Sequence, residues 1–230
     1  MNKNKKQTKY NKFFKEAFYG ISIGFCLGII IILSILLIKK NTQSDSSEIE
    51  PYKSEYIHRL ESQYSITRDS LANEIDKFIK KSAPTSVIDP FLVVDLCDEY
   101  DVDVKFVLAQ GFVESHFATK GTAAKTNSIF NVGAFDGHSF DKQVSNGYGY
   151  KHPNQSIEPY LKLLKNNYLV NGKTEQDLLE NFVNANGKRY ASNNNYEAML
   201  KKTITSIQKS TKIEQLSDKY RMYKLKLGWE

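Results

Sequence analysis

A stretch without a single charged residue, 17–38, constrains this chain more than any other feature of its sequence. At 1.5 Å per residue, a helix of that length spans roughly 33 Å, which is enough to cross the ~30 Å hydrocarbon core of a bilayer. A helix that is apolar on every face is typical of a membrane span and not of a surface helix. The sequence therefore predicts a transmembrane anchor over residues 17–38.

The charges on either side of this segment predict its orientation. A basic tail, 1–16, holds six lysines, whereas only Lys39 and Lys40 follow the apolar run directly. The positive-inside rule then places the tail in the cytoplasm and the rest of the chain outside it, as a single-pass membrane protein. A cleaved signal peptide is the alternative, but its apolar core usually has about 7–15 residues and ends at small residues. This run ends in Leu-Leu-Ile-Lys-Lys, which favours an uncleaved anchor.

The positive charge of the chain is concentrated around this anchor. The net charge is +6, yet residues 41–230 contain 24 Lys and Arg against 25 Asp and Glu. A nucleic-acid-binding domain usually presents a basic surface, so no nucleic-acid partner is expected. Cys26 lies inside the predicted anchor and Cys97 lies far along the chain, so no structural disulfide between them is expected.

The remainder divides by composition into four parts. A polar linker occupies 39–51, and apolar residues at 3–4 spacing then predict a helix over 52–81, acting either as a stalk or as a packing helix. Pro84 breaks the pattern, and residues 82–210 have the size of one compact domain. Residues 211–230 are read as a basic C-terminal tail.

Local signals predict a mainly α domain with one irregular lobe. Asp89, followed by Pro90, and Asp103 are good N-caps for two helices. The region 119–149 is rich in Gly, Asn, Ser and Asp, and it predicts loops with a small hairpin. The predicted helices cover 90–100, 104–117, 156–168, 175–184 and 196–208.

Glu114 is the principal candidate for chemistry. It falls near the C-terminal end of the second predicted helix, between apolar neighbours and directly before the polar lobe. Partial burial and the negative end of a helix both disfavour the ionised carboxylate, and both raise its pKa toward the range useful for a general acid. The alternative interpretation is a solvated surface glutamate.

Four blocks of sequence resemble one known family. Residues 109–117 read Ala-Gln-Gly-Phe-Val-Glu-Ser-His-Phe, and 127–133 read Asn-Ser-Ile-Phe-Asn-Val-Gly. The other two blocks are 156–164 and 187–192, the latter followed by Tyr196 and a helix. Together, over about 83–208, they resemble the lysozyme-like glucosaminidases of glycoside hydrolase family seventy-three, found in autolysins and flagellar peptidoglycan hydrolases.

The resemblance implies a lysozyme-like (α+β) fold and a role for each matching residue. It implies that Glu114 is the catalytic acid, which protonates the glycosidic oxygen. It also implies a substrate-binding role for Gln110, Asn127, Phe130 and Tyr190. Alternatives from the residues themselves are that Tyr190 is a core aromatic and that Asn127 satisfies a loop backbone.

The second catalytic group is less well defined by the sequence. Inverting hydrolases use a base carboxylate about 6.5–9.5 Å from the acid, whereas retention without a protein nucleophile can use the N-acetyl group of the substrate. The family's second acid would fall near Tyr148, where this chain has none, and the only lobe carboxylates are Asp136 and Asp141. Turn chemistry is the alternative for Asp136, because Asp-Gly is a strong turn dipeptide.

Metal and cofactor chemistry is not expected. His116, His138 and His152 match no zinc-ligand spacing, and no cysteine cluster accompanies them.

The predicted function is a membrane-anchored peptidoglycan hydrolase, an endo-β-N-acetylglucosaminidase whose partner is the glycan strand of the cell wall. A lytic transglycosylase or muramidase of the same fold is one alternative. The other is a non-catalytic glycan-binding scaffold in an envelope or phage assembly. The sequence leaves open whether the enzyme is cellular or carried by a phage particle, and which proteins it contacts.

Overall fold

A computed structural model of the chain describes residues 52–132 and 149–229. The predicted tail, anchor and linker, 1–51, lie outside the described residues, as do Asp136, His138 and Asp141. The chain divides into two units, Met1–Arg59 and Leu60–Glu230, and the candidate site belongs to the second.

The described residues are mainly helical, which confirms the predicted class, and their only β pairing is an isolated antiparallel bridge between Val183 and Arg189. A 3-10 turn, Pro153–Ser156, leads into α5, and a π-helical turn, Leu164–Tyr168, extends it. In this part of the chain, no helix combines the length and apolar character that crossing a membrane requires. The helices are α1 (52–82), α2 (Pro90–Glu99), α3 (Val104–Ser115), α4 (Ala123–Thr126), α5 (Ile157–Leu163), α6 (Glu175–Glu180), α7 (Tyr196–Ser210) and α8 (Ile213–Leu227).

Helices α2 and α3 begin where their caps predict. The Asp89 carboxylate accepts a hydrogen bond from the backbone N–H of Phe91 at 2.9 Å, and Asp103 accepts one from Lys105 at 2.8 Å. Each cap satisfies a backbone donor that the first turn of a helix leaves without a partner.

Helix α3 ends at Ser115, two residues before the predicted end. His116, Phe117 and Ala118 adopt left-handed conformations, with φ of 47°, 57° and 64°. The Ser115 hydroxyl accepts a hydrogen bond from the N–H of Ala118 at 2.8 Å and donates one to the carbonyl of Ile129 at 2.6 Å. This turn is held by a long-range contact that helical periodicity does not reveal, and it leaves Glu114 in the last turn of the helix.

Helix α3 forms the centre of the core. It packs most extensively against α7 and also contacts α2 and α8. Phe106, Val107, Leu108 and Ala109 are almost fully buried within it. Burial of apolar surface contributes about 25 cal/mol per Å² to stability, so the packing of this central helix stabilises the position of the residues at its C-terminal end.

Helices α4 and α8 were not predicted, and α6 is shorter than predicted. The expected basic tail, 211–230, contains α8, in which Ile213 and Tyr220 are buried. The apolar residues of this helix do recur at 3–4 spacing, but the lysines between them led to the expectation of a basic tail. Two of its charges instead form long-range ion pairs, Glu214 with Lys105 and Lys224 with Asp98, both at 2.7 Å.

Candidate active site

Glu114 lies on the wall of a cleft of about 680 Å³. The C-terminal turn of α3, the segment around residues 130–132, the end of α5 and the loop before α7 form this cleft. Among the described lining residues, Glu114 is the one carboxylate, and most of the others are amides, hydroxyls or aromatic rings. Besides Glu114, the lining comprises Val113, Phe130, Asn131, Val132, Leu163, Asn167, Tyr168, Asn184, Lys188, Arg189, Tyr190, Ala191, Ser192, Asn193, Tyr196 and Met199.

The hydrogen-bond partners of Glu114 are neutral. The hydroxyl of Tyr196 donates to Oε1 at 2.5 Å, and the Asn131 amide donates to Oε2 at 3.4 Å. The same amide donates to the backbone carbonyl of Glu114 at 2.9 Å, so Asn131 braces both the side chain and the helix end. Burial raises the pKa of Glu114, and the hydrogen bonds from Tyr196 and Asn131 offset that rise only in part. The site therefore favours a carboxyl group that holds its proton above the usual pH range.

Tyr196 is the first residue of α7, and Gln110 supports it from below. The Gln110 amide nitrogen donates to the Tyr196 hydroxyl at 2.9 Å, and the Gln110 side chain is completely buried. Gln110 lies one turn before Glu114 on α3, so both contact the same hydroxyl. The structure thus places Gln110 beneath the cleft, and not on its surface as a substrate-binding role requires.

Tyr190 and Phe130 both line the cleft, as their predicted role requires. The Tyr190 hydroxyl donates to the Phe130 carbonyl at 2.9 Å. The Tyr190 ring stacks on Phe182 at 4.8 Å and on Tyr196 at 5.9 Å, and Phe130 stacks on Tyr160 at 3.7 Å. Both interpretations of Tyr190 therefore hold at once. Tyr190 lines the cleft, and its ring also packs into an aromatic cluster.

Asn127 does not line the cleft. Its backbone has a left-handed φ of 54°, and its side-chain amide donates to the Tyr150 carbonyl at 2.9 Å. The N–H of Tyr150 in turn donates to the Thr126 carbonyl at 2.7 Å. Asn127 thus satisfies a hydrogen-bond acceptor of the loop backbone and links residue 127 to residue 150. This arrangement agrees with the alternative interpretation, in which Asn127 serves the loop backbone.

Arg189 and Glu197 form a feature that sequence reasoning missed. The Arg189 guanidinium donates to both Glu197 oxygens at 2.9 Å, and Glu197 also accepts from the N–H of Phe182 at 3.0 Å. Arg189 additionally donates to the Ala191 and Asn193 carbonyls at 3.2 and 3.4 Å. This pair, the Arg189–Glu197 clasp, holds the loop that carries Tyr190 against the start of α7.

Asn131 and Tyr196 were also missed, although both lie within or next to the quoted blocks. Asn131 is the second asparagine of the 127–133 block, and Tyr196 follows the 187–192 block. The sequence signal that could have identified them was their position within or beside two blocks that resemble the family. The predicted catalytic residues Asp136 and Asp141 lie outside the described residues, so their geometry stays a prediction.

His116 and His152, two of the histidines considered as metal ligands, make unrelated contacts. The His116 ring lies tilted against Phe112, with 4.5 Å between the ring centroids, where α3 ends, and His152 accepts a hydrogen bond from the N–H of Asn154 at 3.3 Å. Within residues 52–132 and 149–229, no group of three or more His, Cys, Asp or Glu side chains is arranged to hold a metal ion.

A carboxyl with a raised pKa and only neutral partners, set in a cleft lined by amides and aromatic rings, defines a site suited to acid catalysis on a polar substrate. Residues 92–209 match the family model for glucosaminidases, described as mannosyl-glycoprotein endo-beta-N-acetylglucosaminidase. The chain belongs to this family and is a glycoside hydrolase, which confirms the resemblance to glycoside hydrolase family seventy-three. Membership supports peptidoglycan glycosidase activity. No curated protein and no solved structure matches the chain.

Proposed function

We propose that this chain is a membrane-anchored endo-β-N-acetylglucosaminidase that cleaves the glycan strands of peptidoglycan, with Glu114 as its general acid. The observation that carries the proposal is the environment of Glu114. It is the one carboxylate among the described residues of the cleft, and burial raises its pKa. A general acid has to be protonated at the working pH, and this environment favours protonation.

The chemistry follows from the two carboxyl oxygens. Oε1 accepts a short hydrogen bond from Tyr196, whereas Oε2 has only the longer contact with Asn131. Oε2 is therefore the oxygen that carries the transferable proton and delivers it to the glycosidic oxygen. As the bond breaks, the sugar develops oxocarbenium character and Glu114 becomes a carboxylate. Tyr196 and Asn131 then stabilise that carboxylate by hydrogen bonding.

The second catalytic group distinguishes two routes. An inverting enzyme needs a base carboxylate, and Asp136 and Asp141 are the candidates that the sequence offers. A retaining enzyme can instead use the N-acetyl group of the substrate, which needs no further carboxylate. On the second route, we expect Tyr190, which lines the cleft, to steady the reacting sugar.

Mutation of both aspartates, with analysis of the product anomer, separates these routes. If one aspartate is the base, Asp136→Asn or Asp141→Asn lowers the rate by about 10²-fold or more, and the product anomer is inverted. If the substrate assists, both variants keep near-wild-type rates, Tyr190→Phe is impaired and the anomer is retained. An inverted product together with two unimpaired variants would contradict both routes.

The lysozyme-like fold and the membrane anchor are parts of the same proposal. A central buried helix that ends in the acid supports the fold assignment. The apolar segment 17–38 and its lysine flanks support an anchor that holds the domain outside the cytoplasm. A fragment that begins at Tyr52 should then be soluble and active without detergent. An insoluble fragment would contradict the division into anchor and soluble domain.

Digestion of purified peptidoglycan, followed by mass spectrometry of the products, tests the activity. Wild type is expected to release fragments with N-acetylglucosamine at the reducing end, and Glu114→Gln is expected to release none. The matched control is Glu158→Gln, which changes a half-exposed glutamate that does not line the cleft. Reducing-end muramic acid would indicate a muramidase, an anhydro-sugar end a lytic transglycosylase, and binding without cleavage a scaffold.

A further inference from the structure

Three side chains form a continuous hydrogen-bonded chain behind the cleft. The Gln110 amide nitrogen donates to the Tyr196 hydroxyl, and that hydroxyl donates to Glu114 Oε1. Gln110 is completely buried, Tyr196 is 3% exposed, and only Glu114 and Tyr196 reach the cleft. We call these residues the Gln110–Tyr196–Glu114 chain.

The number of hydrogens that each group can donate determines which group donates and which accepts along this chain. A tyrosine hydroxyl has one hydrogen to donate and can also accept, whereas an ionised carboxylate only accepts. Because Gln110 donates to the Tyr196 oxygen, the hydroxyl hydrogen is left for Glu114. If the Gln110 amide were reversed, its carbonyl would take that hydrogen, and an ionised Glu114 would face an oxygen with nothing to donate. Only the observed orientation serves Glu114 both before and after it gives up its proton.

The unused end of the Gln110 amide points to the same conclusion. Its carbonyl oxygen is buried and has no hydrogen-bond partner in the described part of the chain. A buried acceptor without a partner is costly, and such groups are rare in folded proteins. A hydrophobic residue of similar size would fill this space without that cost. What Gln110 supplies that such a residue cannot is the N–H directed at Tyr196.

We infer that Gln110 is a positioning residue for catalysis, which holds the Tyr196 hydroxyl toward Glu114 Oε1 and so leaves Oε2 to carry the transferable proton. This inference rests on the proposed role of Glu114 as general acid. It replaces the substrate contact predicted for Gln110 with an action through Tyr196. It also gives Tyr196 a defined task, which is to stabilise the carboxylate that forms when the proton leaves.

Other titratable groups surround the same carboxyl. Among the described residues, the loop before α7 contributes Lys188, Arg189 and Tyr190 to the cleft lining, and α5 contributes Tyr160 beneath it. Just beyond the end of its own helix, His116 follows two residues later. Arg189 is already paired with Glu197. The hydrogen-bond donors that act directly on the Glu114 carboxyl are Tyr196 and Asn131, so removal of the tyrosine hydroxyl is the most direct perturbation.

The test compares the pH profiles of kcat on soluble peptidoglycan fragments for wild type, Tyr196→Phe, Gln110→Met and the double variant. Loss of a hydrogen bond to the ionised form raises the pKa of Glu114, so activity should persist to higher pH. The alkaline limb is expected to move up by about one pH unit in Tyr196→Phe, on the scale of a hydrogen bond to a charged group. Gln110→Met should move it by less in the same direction. The double variant should match Tyr196→Phe, because Gln110 acts only through Tyr196.

The KM values separate this role from substrate binding. A positioning Gln110 leaves KM near the wild-type value, whereas a Gln110 that touches the glycan raises KM without moving the pH limb. Tyr100→Phe is the matched control, because the Tyr100 hydroxyl donates to Glu158 at 3.1 Å away from the cleft. This control should leave both the limb and KM unchanged.

A titration of the carboxyl carbon of Glu114 by NMR gives a readout that does not depend on activity. Its midpoint should rise in Tyr196→Phe, and this measurement remains informative if Gln110→Met fails to fold. An unmoved midpoint and limb in Tyr196→Phe, with Glu114→Gln inactive, would overturn the inference and leave the proposed function intact. An active Glu114→Gln would instead overturn the proposed role of Glu114 itself.

Discussion

Two glutamates, one in the wall of the cleft and one in the first turn of α7, have opposite environments. Glu114, at the C-terminal end of α3, has a hydroxyl and an amide as partners. Glu197, in the first turn of α7, has the Arg189 guanidinium and the backbone N–H of Phe182. Burial raises the pKa of Glu114. Burial acts in the same direction on Glu197, but hydrogen bonds from backbone N–H groups and from Arg189 outweigh it and lower its pKa.

The comparison distinguishes a carboxyl whose environment suits proton donation from a carboxylate that stabilises the structure. A carboxylate paired with a guanidinium is held ionised and cannot serve as a proton donor near neutral pH. A partly buried carboxyl without a cation is costly to ionise, which is the property that a general acid requires. The environment of Glu114 therefore suits the proposed role of acid, whereas Glu197, which does not line the cleft, fixes the loop that carries Tyr190.

The largest expected effect is the loss of activity in Glu114→Gln. The amide keeps the shape of the side chain but has no transferable proton, so kcat should fall by about 10²- to 10⁴-fold. Lysis of purified cell wall by equal amounts of folded wild type and variant measures this change. A residual rate within tenfold of wild type would show that Glu114 does not act as the acid.

Glu197→Gln should have a smaller effect, and mainly on stability. Its amide can still accept from Phe182 but loses the charge that pairs with Arg189. The cost is expected to be about 1–2 kcal/mol, because the Arg189 side chain is 38% exposed and solvent screens the pair. Urea unfolding measures it, with Glu158→Gln as the control. A variant of Glu197 with unchanged stability would contradict a structural role for the clasp.

The pH dependence of stability should have opposite signs at the two glutamates. The raised pKa of Glu114 means that the folded state is stabilised while this group is protonated, and that this contribution is lost as the pH rises from the ordinary glutamate value through the folded pKa. Glu114→Gln should thus unfold at a higher temperature than wild type at neutral pH. The difference should shrink as the pH falls below about 4, the usual range for a glutamate.

For Glu197 the contribution is present above its unfolded pKa and is lost as the pH falls through its lower, folded pKa. The penalty of Glu197→Gln should therefore diminish as the pH falls below the ordinary glutamate range and through this lowered pKa. Thermal unfolding of both variants over the same pH series measures the two trends side by side. Parallel trends would mean that the two carboxyl environments do not differ as the structure indicates.

A metal chelator is expected to leave the activity unchanged, which is the smallest effect among these predictions. The predicted chemistry uses a carboxyl proton and needs no metal. Activity measured with and without EDTA tests this expectation. Loss of activity in EDTA and recovery with zinc would contradict it, and would direct attention to the histidines.

Short-range features of the site could be predicted from the sequence. Asp103 marks the start of α3, and the position of Glu114 near its end follows from a helix of ordinary length. These features depend on contacts within a few residues, where capping and periodicity are strong. The left-handed turn at His116 escaped prediction because Ser115 stabilises it through the distant Ile129 carbonyl. Helix α8 was missed because its basic composition was interpreted as a tail, and its place in the fold depends on distant partners. Glu214 pairs with Lys105 of α3, and Lys224 pairs with Asp98 of α2.

By itself the sequence determined the mainly helical class, the caps of α2 and α3, the family and the choice of Glu114 as the candidate acid. Each of these is encoded in local spacing or in short motifs. Only the tertiary structure decided which groups surround that acid, since Tyr196 lies 82 residues farther along the chain. The packing of α7 on α3 brings the tyrosine to the carboxyl and buries Gln110 behind it. Such contacts are set by how whole helices pack, and no local pattern records them.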